Sequence, residues 1–186
     1  MGGIMSLILQ GSTSGSVTLQ EPAVAGTTVL TLPAVSGTVL TTTSPKAGNV
    51  LQVVNVAYST QTSTSSSTYS DTGLTASITP SSSSSKILVF VDLSVQKDTN
   101  NTSGFFKLVR GSTDLITIDT FAGDTNSSSR IGIGSVSSNY LDSPATTSST
   151  TYKVQFKSSN NNAVIYINNN GYGAITSTIT LMEIAA

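Results

Sequence analysis

The feature that most limits how this chain can fold is a period-two alternation of apolar and polar residues, which recurs while no stretch keeps the spacing of an amphipathic helix. In Tyr152–Lys157 the apolar side chains fall on one face and the polar ones on the other, which predicts a half-buried strand. From Lys86 to Val95 every second residue is aliphatic, and Leu88 and Phe90 lie on the opposite face. A strand that is apolar on both faces at one end is expected at the centre of a sheet or inside an oligomer interface.

Turn-forming residues separate these two strands from seven further strand candidates. The further strands are predicted at Asn49–Ser59, Leu74–Thr79, Phe105–Arg110, Leu115–Phe121, Ile131–Val136, Ala163–Asn168 and Ile175–Ile184. Between them lie segments rich in Ser, Thr, Asn and Gly, such as Thr60–Ser67, which predict turns. Nine strands at short, regular spacing are typical of an antiparallel sandwich or barrel. We therefore predict an all-β sandwich for residues 49–186.

An internal repeat sets the N-terminal part of the chain apart. Residues 18–30 and residues 31–40 both contain Thr-Leu, then Pro-Ala-Val-x-Gly-Thr, then Val-Leu. Each unit predicts two short strands around a Pro-led turn, and one such unit buries too little surface to be stable alone. We predict an extended β-structured arm over residues 1–45, followed by a sandwich domain over residues 46–186. A flexible tether with chance similarity is the alternative for the arm.

The residue types that the chain lacks exclude several function classes. It has no His and no Cys, so it cannot build a Ser-His-Asp triad, a thiol nucleophile or a Cys/His zinc site. Its formal net charge is −1, so the basic footprint of a nucleic-acid binder is absent. Ser and Thr, 33 and 29 of the 186 residues, supply the polarity that charges supply elsewhere. The apolar run Ile4–Leu9 is too short to span a bilayer, so we predict no membrane insertion, no nucleic-acid partner and no cofactor.

Carboxylates are the one class of side chain left that could carry catalysis. Asp114, Asp119 and Asp124 are five residues apart, while Asp92 and Asp142 stand alone. A pair of carboxylates could hydrolyse a glycosidic bond. However, Asp114 and Asp124 lie in turn-like contexts, where an Asp side chain commonly forms a hydrogen bond to its own backbone. Asp119 is expected on the solvent-exposed face of a strand. We therefore assign no catalytic and no metal-binding residues.

Two glycines and an arginine receive structural interpretations. Gly132 and Gly134 resemble half of a dinucleotide-binding fingerprint, but the third Gly and the following helix are missing, so a β-bulge is favoured. Arg110–Ser112 predicts the end of a strand and a turn into the next one, with the guanidinium solvated or ion-paired.

Several tyrosines and asparagines are weaker candidates for a binding surface. Tyr and Asn combine flat apolar area and hydrogen bonding at low charge, which suits contact with carbohydrate or protein. The residues concerned are Tyr140, Tyr152, Tyr166 and Tyr172, with Asn160–Asn162 and Asn168–Asn170. The favoured interpretation of the Asn runs is hairpin turns that tolerate left-handed backbone. No binding residue is assigned.

Short motifs across most of the chain point to a family. They are Thr72–Leu74, Ile78–Pro80, Ser85–Val89, Leu108–Thr113, Asp142–Thr147, Tyr152–Phe156 and Ser177–Ile184, with Gly15–Gln20 and Pro22–Thr27 near the N-terminus. Together they resemble tail-fibre-like proteins of tailed bacteriophages, notably those of cyanobacteria and marine bacteria. The resemblance implies a virion structural protein with a jelly-roll-like C-terminal sandwich, made in the bacterial host cytoplasm and assembled on the particle as an intertwined homotrimer. Its expected partners are copies of itself, other virion proteins of the tail or capsid, and a glycan or protein of the host surface.

The leading hypothesis is a non-enzymatic, trimeric tail fibre or fibre tip that takes part in host attachment. The alternative is a capsid decoration (cement) protein that stabilises the shell through the same arms, because two repeat units make a very short shaft. Less favoured hypotheses are a polysaccharide depolymerase and a stand-alone glycan-binding module.

Overall fold

A computed structural model describes residues 7–19, 45–98, 101–124, 131–161, 163–169, 171 and 175–186. It divides into two compact units, residues 1–39 and residues 40–186, which are described separately. The predicted boundary at residues 45/46 lies a little further along the chain. All regular secondary structure in the described residues is β-strand, which confirms the predicted all-β class. No helix that could cross a membrane occurs in these ranges.

In the N-terminal unit, strands β1 (Leu7–Gln10) and β2 (Ser16–Leu19) form an antiparallel hairpin. Gly11 N donates to Gly15 O at 2.8 Å and closes the turn. Three large apolar side chains of the hairpin are more than half exposed: Ile8, Leu9 and Val17. A lone two-stranded hairpin of this kind is marginally stable in water. Most of the repeat lies outside the described residues, so the arm remains a prediction.

The described part of the unit of residues 40–186, called the sandwich unit below, contains ten strands. They are β3 (Val50–Tyr58), β4 (Thr62–Thr64), β5 (Ser70–Ile78), β6 (Lys86–Lys97), β7 (Gly104–Arg110), β8 (Thr113–Ala122), β9 (Ile131–Asp142), β10 (Thr150–Ser158), β11 (Ile165–Ile167) and β12 (Ser177–Ile184). The small sheet has the order β5-β10-β7-β8. The large sheet has the order β3-β12-β6-β9. The short strand β11 pairs with Val95–Lys97 of β6 on the same side as β12, and β4 pairs with β11.

The eight long strands follow a jelly-roll order. Along the chain they alternate between the large and the small sheet everywhere except at the β7–β8 hairpin, and all their pairings are antiparallel. Two antiparallel sheets with this crossover pattern form a double-sheet sandwich with few free edges. The predicted sandwich is therefore present.

The core lies between the two sheets. Strand β6 contributes its alternating aliphatic residues, each at most 3% exposed: Ile87, Val89, Val91, Leu93 and Val95. From the small sheet, the rings of Phe106 and Phe156 stack on neighbouring strands with centroids 6.5 Å apart, and both are fully buried. The alternation in the sequence therefore identified the buried face of β6 correctly.

The strand bounds differ from prediction where the sequence is rich in hydroxyl and amide side chains. Strand β9 continues to Asp142, past the predicted end at Val136, because residues 137–142 pair with Ile87–Asp92, the first half of β6. Strand β4 lies in Thr60–Ser67, which was wrongly predicted as a turn, and pairs with β11. Ser, Thr and Asn give little hydrophobic signal, although their backbones pair like any other.

Candidate functional site

The candidate carboxylates are engaged in structural contacts. Asp114 lies in β8 and forms an ion pair with Lys107 across the hairpin at 2.8 Å, so the interpretation that it bonds to its own backbone is wrong. Asp119 takes that role instead, because its Oδ1 accepts a hydrogen bond from the backbone N of Phe121 at 2.8 Å. This contact lies beside register shifts between β7 and β8, where the chain has a bulge that a side-chain acceptor can stabilise.

Asp142 is the centre of a buried clamp between the two sheets. Arg110 Nη1 donates to both of its carboxylate oxygens at 2.8 and 2.6 Å, and Tyr152 Oη donates to Oδ2 at 2.6 Å. Burial, and secondly the hydrogen bond to Asp142, raise the pKa of Tyr152. Arg110 is thus ion-paired, which is one of its two predicted states. Tyr152 is fully buried, so the hypothesis that it contacts a ligand is wrong.

The other two carboxylates also have partners. Asp92 accepts a hydrogen bond from Ser135 on the neighbouring strand β9. Asp124 is close enough to Lys97 to favour the charge of that lysine, although burial lowers the pKa of Lys97 overall. Within the described ranges no three acidic residues are grouped to hold a metal ion. Asp92 and Asp124 thus each interact with another side chain of the sandwich unit.

The glycine pair forms a bulge, as the sequence predicted. Val95 of β6 is opposite Gly134 and Gln96 is opposite Gly132, so the register shifts by one residue between them. Gly134 has a φ of 89°, a conformation that favours glycine. The pair is part of a strand and no helix follows it, so it is no phosphate loop.

The tyrosine and asparagine candidates are mostly internal. Asn168 is buried with a φ of 54°, donates to Tyr58 O at 2.7 Å and accepts from Ser177 Oγ at 2.7 Å. Tyr140 packs against the core, and Tyr166 Oη donates to Asp98 Oδ2 at 3.3 Å. The left-handed backbone predicted for an Asn run is therefore confirmed at Asn168. The residues Tyr172, Asn162 and Asn170 lie outside the described ranges.

The structure brings together a different set of residues on the outer face of the small sheet. We call it the aromatic–lysine row, and it consists of Tyr69, Phe105, Lys107, Phe121 and Lys157. Lys157 Nζ lies 5.0 Å from the Tyr69 ring centroid and 4.8 Å from that of Phe105, and Lys107 Nζ lies 4.3 Å from Tyr69. The rings of Phe105 and Phe121 are 6.1 Å apart, and Phe121 is 68% exposed.

The row combines exposed ring surface with positive charge. An ammonium group over a ring face gains about 0.5–1 kcal/mol at an exposed site, so the lysines and rings hold each other in place. Burial raises the pKa of Tyr69 and Lys107 opposes this shift. Aromatic faces can stack on the apolar face of a sugar ring or a peptide, and the ammonium of Lys157 can pair with an anion. The alternation in Tyr152–Lys157 places Lys157 on the outward face, but only the register of β10 against β7 makes it a neighbour of Phe105.

The outer face of the large sheet carries the second candidate surface, called the apolar face below. It consists of the outward residues of four adjacent strands: Val53, Asn55 and Ala57 of β3; Thr178, Thr180 and Met182 of β12; Lys86, Leu88, Phe90 and Asp92 of β6; and Ser137, Asn139 and Leu141 of β9. Val53, Leu141 and Phe90 are 54, 49 and 41% exposed. Among these residues only Lys86 and Asp92 are charged. The sequence flagged Leu88 and Phe90, and β6 is indeed central in the sheet.

Comparisons with known proteins assign no family. No family model matches the chain, and no curated protein matches it. Among solved structures, the infectious bursal disease virus VP2 subviral particle aligns at a TM-score of 0.42 and 12% identity, over 73% of this chain and 37% of that one. Structures of the Gt and Gx strains of the same virus each align at 0.40 and 13% identity, over 98 and 92% of this chain and 47 and 43% of theirs. The chain spans less than half the length of these proteins, and a likeness this distant assigns no function.

Proposed function

We propose that this chain is a non-enzymatic structural protein of a bacteriophage particle, exposed as a trimeric tail fibre or fibre tip that contacts the host surface. The resemblance of its motifs to tail-fibre-like phage proteins supports the virion assignment. The observation that carries host attachment is the aromatic–lysine row. The whole chain has only 5 Phe, 6 Tyr and 8 Lys and Arg residues, and three of these rings and two of these lysines lie together on one outer face.

The chemistry of the described residues supports a binding role rather than a catalytic one. The candidate carboxylates serve the ion pair to Lys107, the clamp around Asp142, the hydrogen bond from Ser135 and the bulge at Phe121. Because each of these carboxylates is engaged by a neighbouring group of the sheets, the contacts favour a structural role for it over an acid-and-base role.

The N-terminal unit supports the proposal of a homotrimer. Its hairpin leaves Ile8, Leu9 and Val17 more than half exposed, and the repeat units that follow it in the sequence bury too little surface alone. Pairing these strands with the arms of two other chains would cover the apolar side chains and satisfy the strand edges.

The first experiment compares the mass of the full chain with that of residues 46–186 by light scattering, and locates the protein on purified phage particles with a specific antibody by electron microscopy. We expect a trimer that needs residues 1–45, and labelling at the tail. Labelling over the shell, with binding to emptied capsids that is lost without residues 1–45, would favour the decoration protein. A monomeric full chain would contradict the trimer.

The second experiment tests attachment on host cells with the labelled full chain. Phe121→Ser and Lys157→Gln should each reduce cell binding about tenfold, because one removes an exposed ring and the other the cation between two rings. Lys153→Gln is the matched control, since Lys153 lies on the same sheet face but pairs with Asp71 at 2.9 Å. Equal binding by all three variants would contradict attachment through the row.

A further inference from the structure

The apolar face has an order along the strands that its composition alone does not reveal. Its residues form cross-strand rows, because directly paired residues point to the same side of a sheet. The first row is apolar and runs Val53, Met182, Leu88, Leu141. The second runs Asn55, Thr180, Phe90, Asn139, and the third, of smaller residues, runs Ala57, Thr178, Asp92, Ser137.

We propose that this face binds the same face of a second copy of the chain. The two copies are related by a two-fold axis that lies in the plane between their facing large sheets, runs perpendicular to β6 and passes over Val89. Such an axis places β6 against β6 of the second copy with opposite chain direction. Lys86 then faces the second copy's Asp92, and Leu88 faces its Phe90, because each pair is symmetric about residue 89. The outward side chains of β6 are thus self-complementary in charge and in polarity, as an isologous contact requires.

The shapes of the rows fit the same arrangement. The axis places the first row, with the long side chains Met182, Leu88 and Leu141, over the second copy's middle row, in which Asn and Thr are shorter. Next to Phe90 and Asp92 the surface has a shallow depression of about 320 Å³, with Ser137 and Asn139 in its wall. This depression lies where the second copy's Leu88 and Lys86 would enter.

Three polar side chains of the face, Asn55, Thr180 and Asp92, already have partners within the chain. Asn55 Nδ2 donates to Thr180 Oγ1 at 2.7 Å, and Asp92 accepts from Ser135. Covering the face would therefore leave these groups hydrogen-bonded, so they would not become unsatisfied buried polar groups. Asp92 would gain an ammonium partner from Lys86 of the second copy.

The area of the face predicts a weak pair. Four strands about 4.8 Å apart and seven residues of about 3.3 Å each span roughly 450 Å² in projection. Two such faces cover about 900 Å², slightly less than the roughly 1,000 Å² of a stable specific contact and within the range of weak, transient ones. We therefore expect reversible pairing in the micromolar range. This contact goes beyond the proposed trimer, because it lies on the sandwich unit and not on residues 1–45.

The test uses residues 46–186, because the whole core cluster lies in this part of the chain and provides it with its own hydrophobic core. Sedimentation velocity from about 1 to about 100 μM brackets the expected affinity. Lys86→Asp and Asp92→Lys should each raise the dissociation constant of the dimer about tenfold or more, since each creates two like-charge contacts per pair. The double variant Lys86→Asp/Asp92→Lys should restore the affinity of the original chain.

Lys153→Asp on the opposite sheet is the matched control and should leave the dimer unchanged. Thermal unfolding by circular dichroism verifies that each variant is folded. A fragment that stays monomeric at about 100 μM, a range in which weak specific pairs are populated, overturns the proposal. So does a three-fold assembly, or a folded double variant that fails to pair. A monomeric fragment, or a double variant that fails to pair, leaves the proposed arm trimer untouched, whereas a trimeric fragment would also contradict the expectation that the trimer needs residues 1–45.

Discussion

Glu183 is a fully buried carboxylate that holds the end of β12 against the segment after β5. Ser81 donates to its Oε1 from the backbone N at 2.7 Å and from Oγ at 2.6 Å, and Gln52 Nε2 donates to its Oε2 at 2.6 Å. Burial acts to raise the pKa of Glu183, but these hydrogen bonds outweigh it and lower the pKa from 4.5 to about 2. The residue is therefore ionised in the folded chain over nearly all pH values.

The pKa of Glu183 predicts an acid-sensitive stability. Because its pKa is lower in the folded than in the unfolded chain, its contribution is present above about pH 4.5 and is lost as the pH falls toward 2. The size is about 3 kcal/mol in the free energy of unfolding. Glu183→Gln should lower stability at pH 7 and flatten the dependence between pH 5 and pH 2, measured by urea unfolding at a series of pH values.

Asp71→Asn provides the control for that series. Hydrogen bonds from Gln155 and Lys153 also lower the pKa of Asp71, but its side chain is 53% exposed, so water screens most of the effect. This variant should keep a pH profile close to that of the original chain. Parallel profiles for Glu183→Gln and the original chain would contradict the role of Glu183.

At the scale of the strands, two β-bulges depend on a glycine. Gly134 of β9 and Gly73 of β5 have φ angles of 89° and 93° and lie at register shifts with β6 and β10. A Cβ at Gly134 would meet open space, whereas a Cβ at Gly73 would lie against the Tyr58 ring and its Oη. The two sites therefore separate the cost of the backbone conformation from the cost of close packing.

An alanine series measures these two costs. Gly134→Ala should lower the free energy of unfolding by about 1 kcal/mol, because alanine disfavours a positive φ. Gly73→Ala should cost more, about 2 kcal/mol or above, since it adds the displacement of Tyr58. Gly132→Ala is the control, because its Cβ would also meet open space and its φ is not positive. Equal losses at all three positions in urea unfolding would refute this account.

The alternation of residues predicted the elements whose side chains differ most between faces. Strands β6 and β10 were placed well because Ile, Val, Tyr and Phe alternate there with polar residues. The second half of β9 was missed because Ser137, Ser138 and Asn139 interrupt the apolar alternation before Tyr140 and Leu141, although the strand pairs with β6 along its length. The jelly-roll order came from the family resemblance, since alternation alone does not specify which strands pair.

The candidate surfaces were less predictable than the strands. The aromatic–lysine row joins Tyr69 and residues of β7, β8 and β10, and these become neighbours only through sheet register. The clamp around Asp142 likewise joins Arg110 and Tyr152 of the small sheet to a strand of the large one. Such sites depend on long-range pairing, which a local pattern cannot encode.

At the scale of the molecule, the sandwich unit should fold without the arm. Every residue of the core cluster lies between Leu74 and Leu181, and residues 40–186 form one compact unit. Residues 46–186 should therefore unfold in one cooperative urea transition, followed by far-UV circular dichroism. The full chain, measured at the same concentration, is the control. A fragment without a cooperative transition would show that the arm is needed for folding.

The position of β12 also has a consequence for the order of events during synthesis. This strand lies between β3 and β6 and pairs with both, although it follows them by most of the length of the unit. A ribosome delivers β3 and β6 early, so one edge of each has to wait for its neighbour. Folding of the large sheet is therefore completed only after the last strand emerges. During that interval the apolar run Ile87–Val91 of β6 lacks its neighbour, and a short, uncharged, β-prone segment of this kind is prone to aggregate until β12 covers its edge.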